Sequence, residues 1–531
     1  MAEHSKNQMD LPMIRPIRHI ILAALLSLMP LFAGGQSAET VRLVTDRDVF
    51  VAGDMILCSA ACYSEGSISD RSAIAYVELV SSEGIAATAK IALVSGRGAG
   101  YVSIPPETPT GNYRLFAFTA LSESAETKNI TIYNTFYGNR VPGGVIAVSE
   151  DIPLKPADGV VIPNSITCSK AESGGRITYT LSNTGQEEVC LSVSIYDDDG
   201  LEASAASPQS VSLTPREAEN DGEIVYAKVY GPDAGKVTGR PWLTAVISSP
   251  GSAADTYTGK IRSGGDIVFK TNNIYGNRDL VCEILGLDDE RLNCHFNPVS
   301  PFINPQGLSF TPLLLSASFK DALQSRHIAV CQGAKQLDTL FSFLPKRDNL
   351  LLSSDDCESI HLDDYERFNT IEDIILELVP KVAVRKQKGR KTIKMMVSNL
   401  SATERSDNVL VLLDGVPVSD HERLLEYDAL ALSDIQVYPY YYALGKTVFT
   451  GVINFVTARH DMSALKFADN VRIMDYQGCS YPVALRPSDI MESLPGSTLL
   501  WEPLTFIKPG GSVSFTVGAG NGHNALRAVL L

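Results

Sequence analysis

Thr40-Val41-Arg42-Leu43-Val44-Thr45-Asp46-Arg47-Asp48-Val49-Phe50-Val51-Ala52-Gly53-Asp54-Met55-Ile56-Leu57-Cys58-Ser59-Ala60 is the stretch whose reading decides the fold. Val41 to Thr45 alternates apolar and polar side chains, as a half-buried strand does. Asp46-Arg47-Asp48 reads as a turn, and two more short apolar runs follow. The same rhythm continues outward. Runs at 73–80, 87–94, 101–104 and 113–119 are separated by Ser-Ser-Glu-Gly, Pro105-Pro106 and Thr110-Gly111-Asn112. Short strands at intervals of about 8–15 residues predict a β-sandwich over 40–137.

The rest of the chain reads mostly the same way. Alternating runs at 160–162, 176–181 and 189–196 predict a second β-sandwich over 140–215. Runs at 224–230, 242–248, 265–269 and 280–284 predict a third over 222–290. Residues 291–364 carry a mixed pattern, with short helices expected over 319–329 and 336–343. Residues 365–460 differ. Thr370 precedes Ile371, Ile374, Ile375 and Leu378, a single helical face closed by Pro380. Strands follow at 382–386, 392–397, 409–413, 432–438 and 451–457, with a further helix over 422–427. Residues 461–531 predict a short separate β domain. The fold class expected is therefore multidomain and mainly β: several Ig- or macroglobulin-like β-sandwiches plus one small α+β unit.

Composition bounds the function. The 531 residues suggest three to five domains, and 44% hydrophobic with 20% charged residues allows each an ordinary core. A net charge of −16 argues against nucleic acid as a partner. Arg15, Arg18 and His19 precede the apolar run 20–32, and Ala33-Gly34-Gly35 follows. That is the pattern of a secretory leader over 1–35 cleaved after Gly35, with an uncleaved anchor as the alternative. No later stretch reaches 18 apolar residues, so no transmembrane helix is expected. The expected location is exported, in the periplasm or associated with an outer membrane.

Two stretches carry family resemblances. "TDRDVFVAGD" (45–54) and "IPPETPTGNYRLFAFT" (104–119) resemble the opening and a late strand of a macroglobulin-type MG2 domain. Protease inhibition is not implied, because the Cys-x-Glu-Gln thioester motif and a bait segment are absent. The helix at 370–380, "VLVLLDGVPV" (409–418), "LALSDIQVY" (430–438) and "LGKTVFTGVINFVT" (444–457) resemble, in order, the plug domain of TonB-dependent receptors. The resemblance implies structural roles for Asp414, Gly415, Pro417 and Gly451. Such receptors close a barrel of 22 strands, for which the 71 residues after His460 give no room. The whole arrangement resembles secreted envelope proteins of Bacteroidetes-type bacteria, here with an abbreviated tail around Trp501.

Candidate chemistry is sparse. Tyr438, Tyr440, Tyr441 and Tyr442 around Pro439 form an aromatic loop able to stack on sugars or peptide side chains. Arg385, Lys386 and Lys388 lie in the basic stretch between two strands, able to meet an acidic partner but equally able to solvate a hairpin. Asp197-Asp198-Asp199-Gly200 lacks the closing Glu of a calcium loop and reads as a solvated turn. The nine cysteines show no zinc spacing. Gly518-Ala519-Gly520-Asn521-Gly522 reads as an ordinary loop. No catalytic set, metal site or cofactor is expected. The leading expectation is a non-enzymatic envelope binding or scaffold protein whose partner is another envelope or outer-membrane protein. An accessory role in a TonB-dependent uptake system is the alternative, and a macroglobulin-like protease-interacting protein a lesser one.

Overall fold

The computed structural model describes residues 37–136, 145–157, 159–240, 242–251, 255–272, 274–286, 292–340, 355–387, 389–396, 405–406, 408–486, 496–519 and 523–531. The expected leader over 1–35 lies outside them.

The first sandwich is built from consecutive chain. One sheet centres on Met55–Ser64, flanked by Thr40–Thr45 and Arg97–Ser103. The other runs in the order Val49–Val51, Lys128–Tyr133, Gly111–Phe118, Ile74–Ser81, Gly84–Ala92. Strand alternation sends Ile56, Cys58, Ala60 and Cys62 inward against Val77, Leu79, Leu115 and Ile132. The outer faces are buried too. Tyr76, Phe116 and Phe118 are covered by Val211, Cys479 and the segment carrying Phe302 and Phe310. On the opposite side, Leu57 packs on Trp501 and Val483.

The second sandwich is assembled from distant stretches. One sheet runs Val160–Val161, Asn524–Leu530, Val189–Asp197, Thr498–Ile507; the other runs Ile166–Ser173, Arg176–Asn183, Ser512–Gly518. Tyr179, Leu181, Val193 and Ile195 share its core with Leu500, Phe515 and Leu526. This corrects the expectation of separate β units at 140–215 and 461–531. The last three strands are members of the earlier sandwich, Asn524–Leu530 inside one sheet and Thr498–Ile507 and Ser512–Gly518 at the edges of the two. Their alternating pattern is that of any strand, so nothing local in it marks the partner.

A seven-stranded antiparallel sheet forms the third unit, in the order His295–Pro298, Ile224–Tyr230, Asp266–Lys270, Asp255–Lys260, Thr244–Ser249, Asn277–Leu285, Arg472–Gln477. Val229, Ala245, Ile247, Phe269, Ile284, Phe296 and Tyr476 meet in one cluster, and the end strands approach each other, so the sheet curls around its own core. The expected unit at 222–290 therefore gains two strands, one of them almost two hundred positions downstream in register with Asn277–Cys282.

Within this excursion sit helix Lys320–Leu340 and an α/β unit. The helix replaces the two short helices expected at 319–329 and 336–343; residues 341–343 are outside the described set. The α/β unit carries a sheet in the order Glu358–His361, Leu432–Tyr438, Val452–Thr457, Leu410–Leu413, Val416–Pro417, with one parallel pair, Leu410–Leu413 on Val452–Thr457. Helix Ile371–Leu378 starts at Thr370, whose hydroxyl accepts the Asp373 N–H at 3.1 Å. It lays Ile371, Ile374 and Ile375 on this sheet. Hairpin Val382–Gln387/Arg390–Met396 and helix His421–Leu425 complete the unit.

The units are thus nested. The chain leaves the second sandwich after Asp197 and returns at Thr498; it leaves the curled sheet after Pro298 and returns at Arg472. The α/β unit occupies the innermost excursion. Among the described residues no helix is long and apolar enough to cross a membrane, which says nothing of strand-built spans.

Candidate functional site

The α/β unit is fixed by the Asp414-Gly415 turn. Asp414 is buried with φ of 48°, a conformation that Asp tolerates better than most residues. Its carboxylate accepts the Thr457 N–H and hydroxyl, both at 2.7 Å, and the Met462 N–H at 2.9 Å. Gly415, at φ 79°, donates its N–H to Asn454 Oδ1 at 2.9 Å. Pro417 pairs with Leu412 at the end of an edge strand, where no ladder donor is needed. A Cβ at Gly451 would collide with Met395 Sδ and lie 3.1 Å from the Tyr438 carbonyl oxygen. These four residues hold strands together and present nothing outward.

The tyrosines separate into two groups. Strand Leu432–Tyr438 runs through Pro439-Tyr440-Tyr441 into hairpin Tyr442–Leu444/Thr447–Phe449. Gly445 opens its two-residue loop with φ of 61°, as primed hairpin turns require. Tyr438 and Tyr442 pack on the cluster where the α/β unit meets the outer face of the curled sheet, with Val246, Leu285, Leu410 and Phe449. Burial pushes the Tyr442 phenol pKa up. Tyr440 stands edge-on to Tyr438 at 5.4 Å. Only Tyr441 points substantially to solvent, at 49% exposure, with Val448 of the returning strand at 55%. The aromatic loop expected from sequence is therefore half anchor and half presented surface.

That hairpin reaches across the curled sheet. Thr447 and Thr244 share a hydroxyl hydrogen bond of 3.1 Å, and Gly445 is so close to Thr258 that an added Cβ would lie 2.9 Å from its Oγ1. Beside the hairpin tip opens a groove of about 650 Å³ between Leu444-Gly445 and Thr256, Thr258, Arg262, Val268 and Lys270. Glu217 lines it as well and pairs with Lys270 at 2.7 Å. This groove was not foreseen, because its two walls come from stretches that no local pattern links.

The basic stretch lies elsewhere. Arg385 and Lys386 are exposed near the turn of their hairpin. Met395, which meets Gly451, pairs with Val382 at the other end, so about 10 Å of strand intervenes. Lys381 pairs with Glu358 and Lys391 with Glu372. Lys388 lies outside the described residues. No described contact joins Arg385 or Lys386 to the tyrosines.

Among the buried carboxyls that stitch the units together are Asp46, Glu219 and Glu283, none of which was read from sequence as a junction residue. Asp46 accepts the Thr498 hydroxyl at 2.6 Å across the two sandwiches; burial raises its pKa to about 6. Glu219 accepts the Tyr76 hydroxyl at 2.8 Å and the Ile224 N–H at 2.9 Å between the first sandwich and the curled sheet. Glu283 accepts the Ser419 hydroxyl between curled sheet and α/β unit. Burial lifts both glutamates to about 7. The acidic turn at 197–200 is corrected likewise. Asp199 is buried, not solvated, and Arg326 of the long helix donates to it at 2.6 and 2.9 Å. A buried ion pair needs both members in sequence positions 127 apart, which no spacing rule supplies.

No protein-family model matches the chain, and no curated protein matches it. Solved structures similar to it include Salmonella alpha-2-macroglobulin reacted with methylamine, at 8% identity and TM-score 0.15 over 91% of this chain and 23% of that one. Dimeric latent PorU from Porphyromonas gingivalis matches at 9% identity and TM-score 0.18 over 49% and 33% of the two chains. The Escherichia coli adhesin FdeC matches at 11% identity and TM-score 0.15 over 46% and 60%. The chain spans about a quarter of the macroglobulin's length. At these TM-scores the likenesses assign neither a fold family nor a role.

Proposed function

We propose that this protein is a non-enzymatic binding or scaffold protein of a bacterial cell envelope, exported by its N-terminal leader, and that the α/β unit is its docking module. The observation that carries this reading is the nesting. The second sandwich and the curled sheet are each closed by strands downstream of the α/β unit, and the strands that bracket its excursion, His295–Pro298 and Arg472–Gln477, both belong to the one curled sheet. Such a frame holds the hairpin at 442–449 in a fixed pose, which lowers the entropy lost on binding. Tyr441 and Val448 supply the exposed aromatic and aliphatic contacts, and the adjoining groove supplies polar ones.

The order of motifs resembling a TonB-receptor plug supports an outer-membrane protein as the partner class, and keeps an accessory part in uptake as the alternative. Affinity capture from detergent-solubilised envelopes tests the reading, using the wild type and a Tyr441→Ala/Val448→Ser variant. A stoichiometric partner retained by the wild type and lost by the variant is expected. Equal recovery by both overturns the docking role of the hairpin. A partner that is itself a barrel transporter favours the uptake alternative.

A further inference from the structure

Eight of the nine cysteines are buried or half-buried, and burial raises the pKa of each of those thiols. Cys331 is the exposed exception. It sits on helix Lys320–Leu340 one turn after His327, with Sγ 3.7 Å from His327 Nε2. The other ring nitrogen, Nδ1, lies 2.8 Å from the hydroxyl of Thr135, just past strand Lys128–Tyr133. Thiol, imidazole and hydroxyl thus form a chain of nucleophile, base and orienting group drawn from two separate elements.

The imidazole is held in place independently of this chain. Phe136 stands edge-on to it at 4.6 Å. The helix register is fixed one residue earlier, where Arg326 donates to both Asp199 oxygens and, at 2.6 Å, to the Val49 carbonyl. Gly53 brings backbone beneath Phe136 and Val330; a Cβ there would lie 3.1 Å from the Phe136 ring.

We infer that Cys331 is an activated surface thiol that forms a mixed disulfide with small disulfide-bearing molecules, His327 serving as the base. With Nδ1–H donating to Thr135 Oγ1, Nε2 is free to accept the thiol proton. The Cys331 thiolate attacks one sulfur of R–S–S–R. The S–S bond breaks, a bond forms between Cys331 Sγ and the attacked sulfur, and R–S⁻ leaves and takes the proton from the His327 imidazolium. The step is stoichiometric and consumes one disulfide.

The test uses the full folded chain, reduced, freed of reductant and exposed to oxidised glutathione at neutral pH, followed by intact mass and peptide mapping. A single glutathionyl adduct at Cys331, absent from Cys331→Ser, is expected. First modification at another cysteine, or none, overturns the inference. His327→Gln is expected to slow adduct formation about tenfold, because the group placed to take the thiol proton is gone. Its melting temperature is expected to stay that of the wild type, which separates lost activation from lost folding. Unchanged labelling of His327→Gln overturns the role of the base.

Discussion

The two sandwiches have similar cores and opposite histories in the chain. The first is completed by residues 40–133 before the chain goes anywhere else. The second waits for its last three strands, and its Thr178–Thr516 hydroxyl pair spans 338 positions. A sandwich closed locally can form early, whereas one closed by the distant end of the chain must bear the entropy of a very long loop. The difference teaches what the second sandwich does: its closure ties down everything between Asp197 and Thr498. The first sandwich is gripped between that closure and the curled sheet, with both outer faces buried.

The largest effect is expected where the two sandwiches touch. Trp501 is fully buried against Leu57 and Val483, so Trp501→Ala should cost roughly 3–5 kcal/mol, read by chemical denaturation. Among the described residues its indole N–H finds no hydrogen-bond partner, so Trp501→Phe should cost far less. Arg326→Met comes next. It strands the buried Asp199 carboxylate and should cost about 3 kcal/mol, with Asp199→Asn in the same background recovering part of the loss.

The pH dependence of the junctions is smaller. Glu219 and Glu283 have folded pKa values of about 7, raised by burial above the 4.5 expected of an unfolded chain. A raised pKa means the folded state holds the proton more tightly. Each therefore contributes stability that is fully present below pH 4.5 and is lost as pH rises through about 7. Glu283→Gln should flatten the fall in stability between pH 5 and pH 8 by roughly 2–3 kcal/mol, measured as urea midpoints across that range. An unaltered slope would remove Glu283 from the account.

Asp414→Ala should cost about 2 kcal/mol, because it frees three donors and leaves a side chain without polar atoms at positive φ. Tyr441→Ala, by contrast, should change stability by no more than about 0.5 kcal/mol, since its ring is half exposed. Together these last two separate the residues that build the α/β unit from those it presents.

Much of this was legible in the sequence where the signal is local. Leu432–Tyr438 is a strand as its alternation required, and helix Ile371–Leu378 follows its Thr370 cap and one-sided isoleucines. Period and capping are properties of neighbouring residues, so a single chain displays them. Strand partners are not. Ser512–Gly518 alternates like any edge strand, and nothing in it names Arg176–Asn183 as its neighbour. The same holds for the site. Four tyrosines within five positions were visible, but which of them faced solvent depended on Val246 and Leu285 of another unit. The buried carboxyls looked like surface residues, because a lone Glu carries no mark of the tyrosine or serine that will cover it.

The presented hairpin has a natural counterpart for comparison. On the outer face of the second sandwich, Thr178, Thr180 and Ser182 satisfy Thr516, Ser514 and Ser512 at 2.9, 2.8 and 2.7 Å, a self-contained hydroxyl face. The most direct measurement is photo-crosslinking in intact cells from a photoreactive side chain placed at Tyr441, with Ser514 as the matched position. A discrete adduct of defined mass from position 441 and none from 514 is the expected result. No adduct at 441, or the same adducts from both positions, would contradict the assignment of the α/β unit as the docking module.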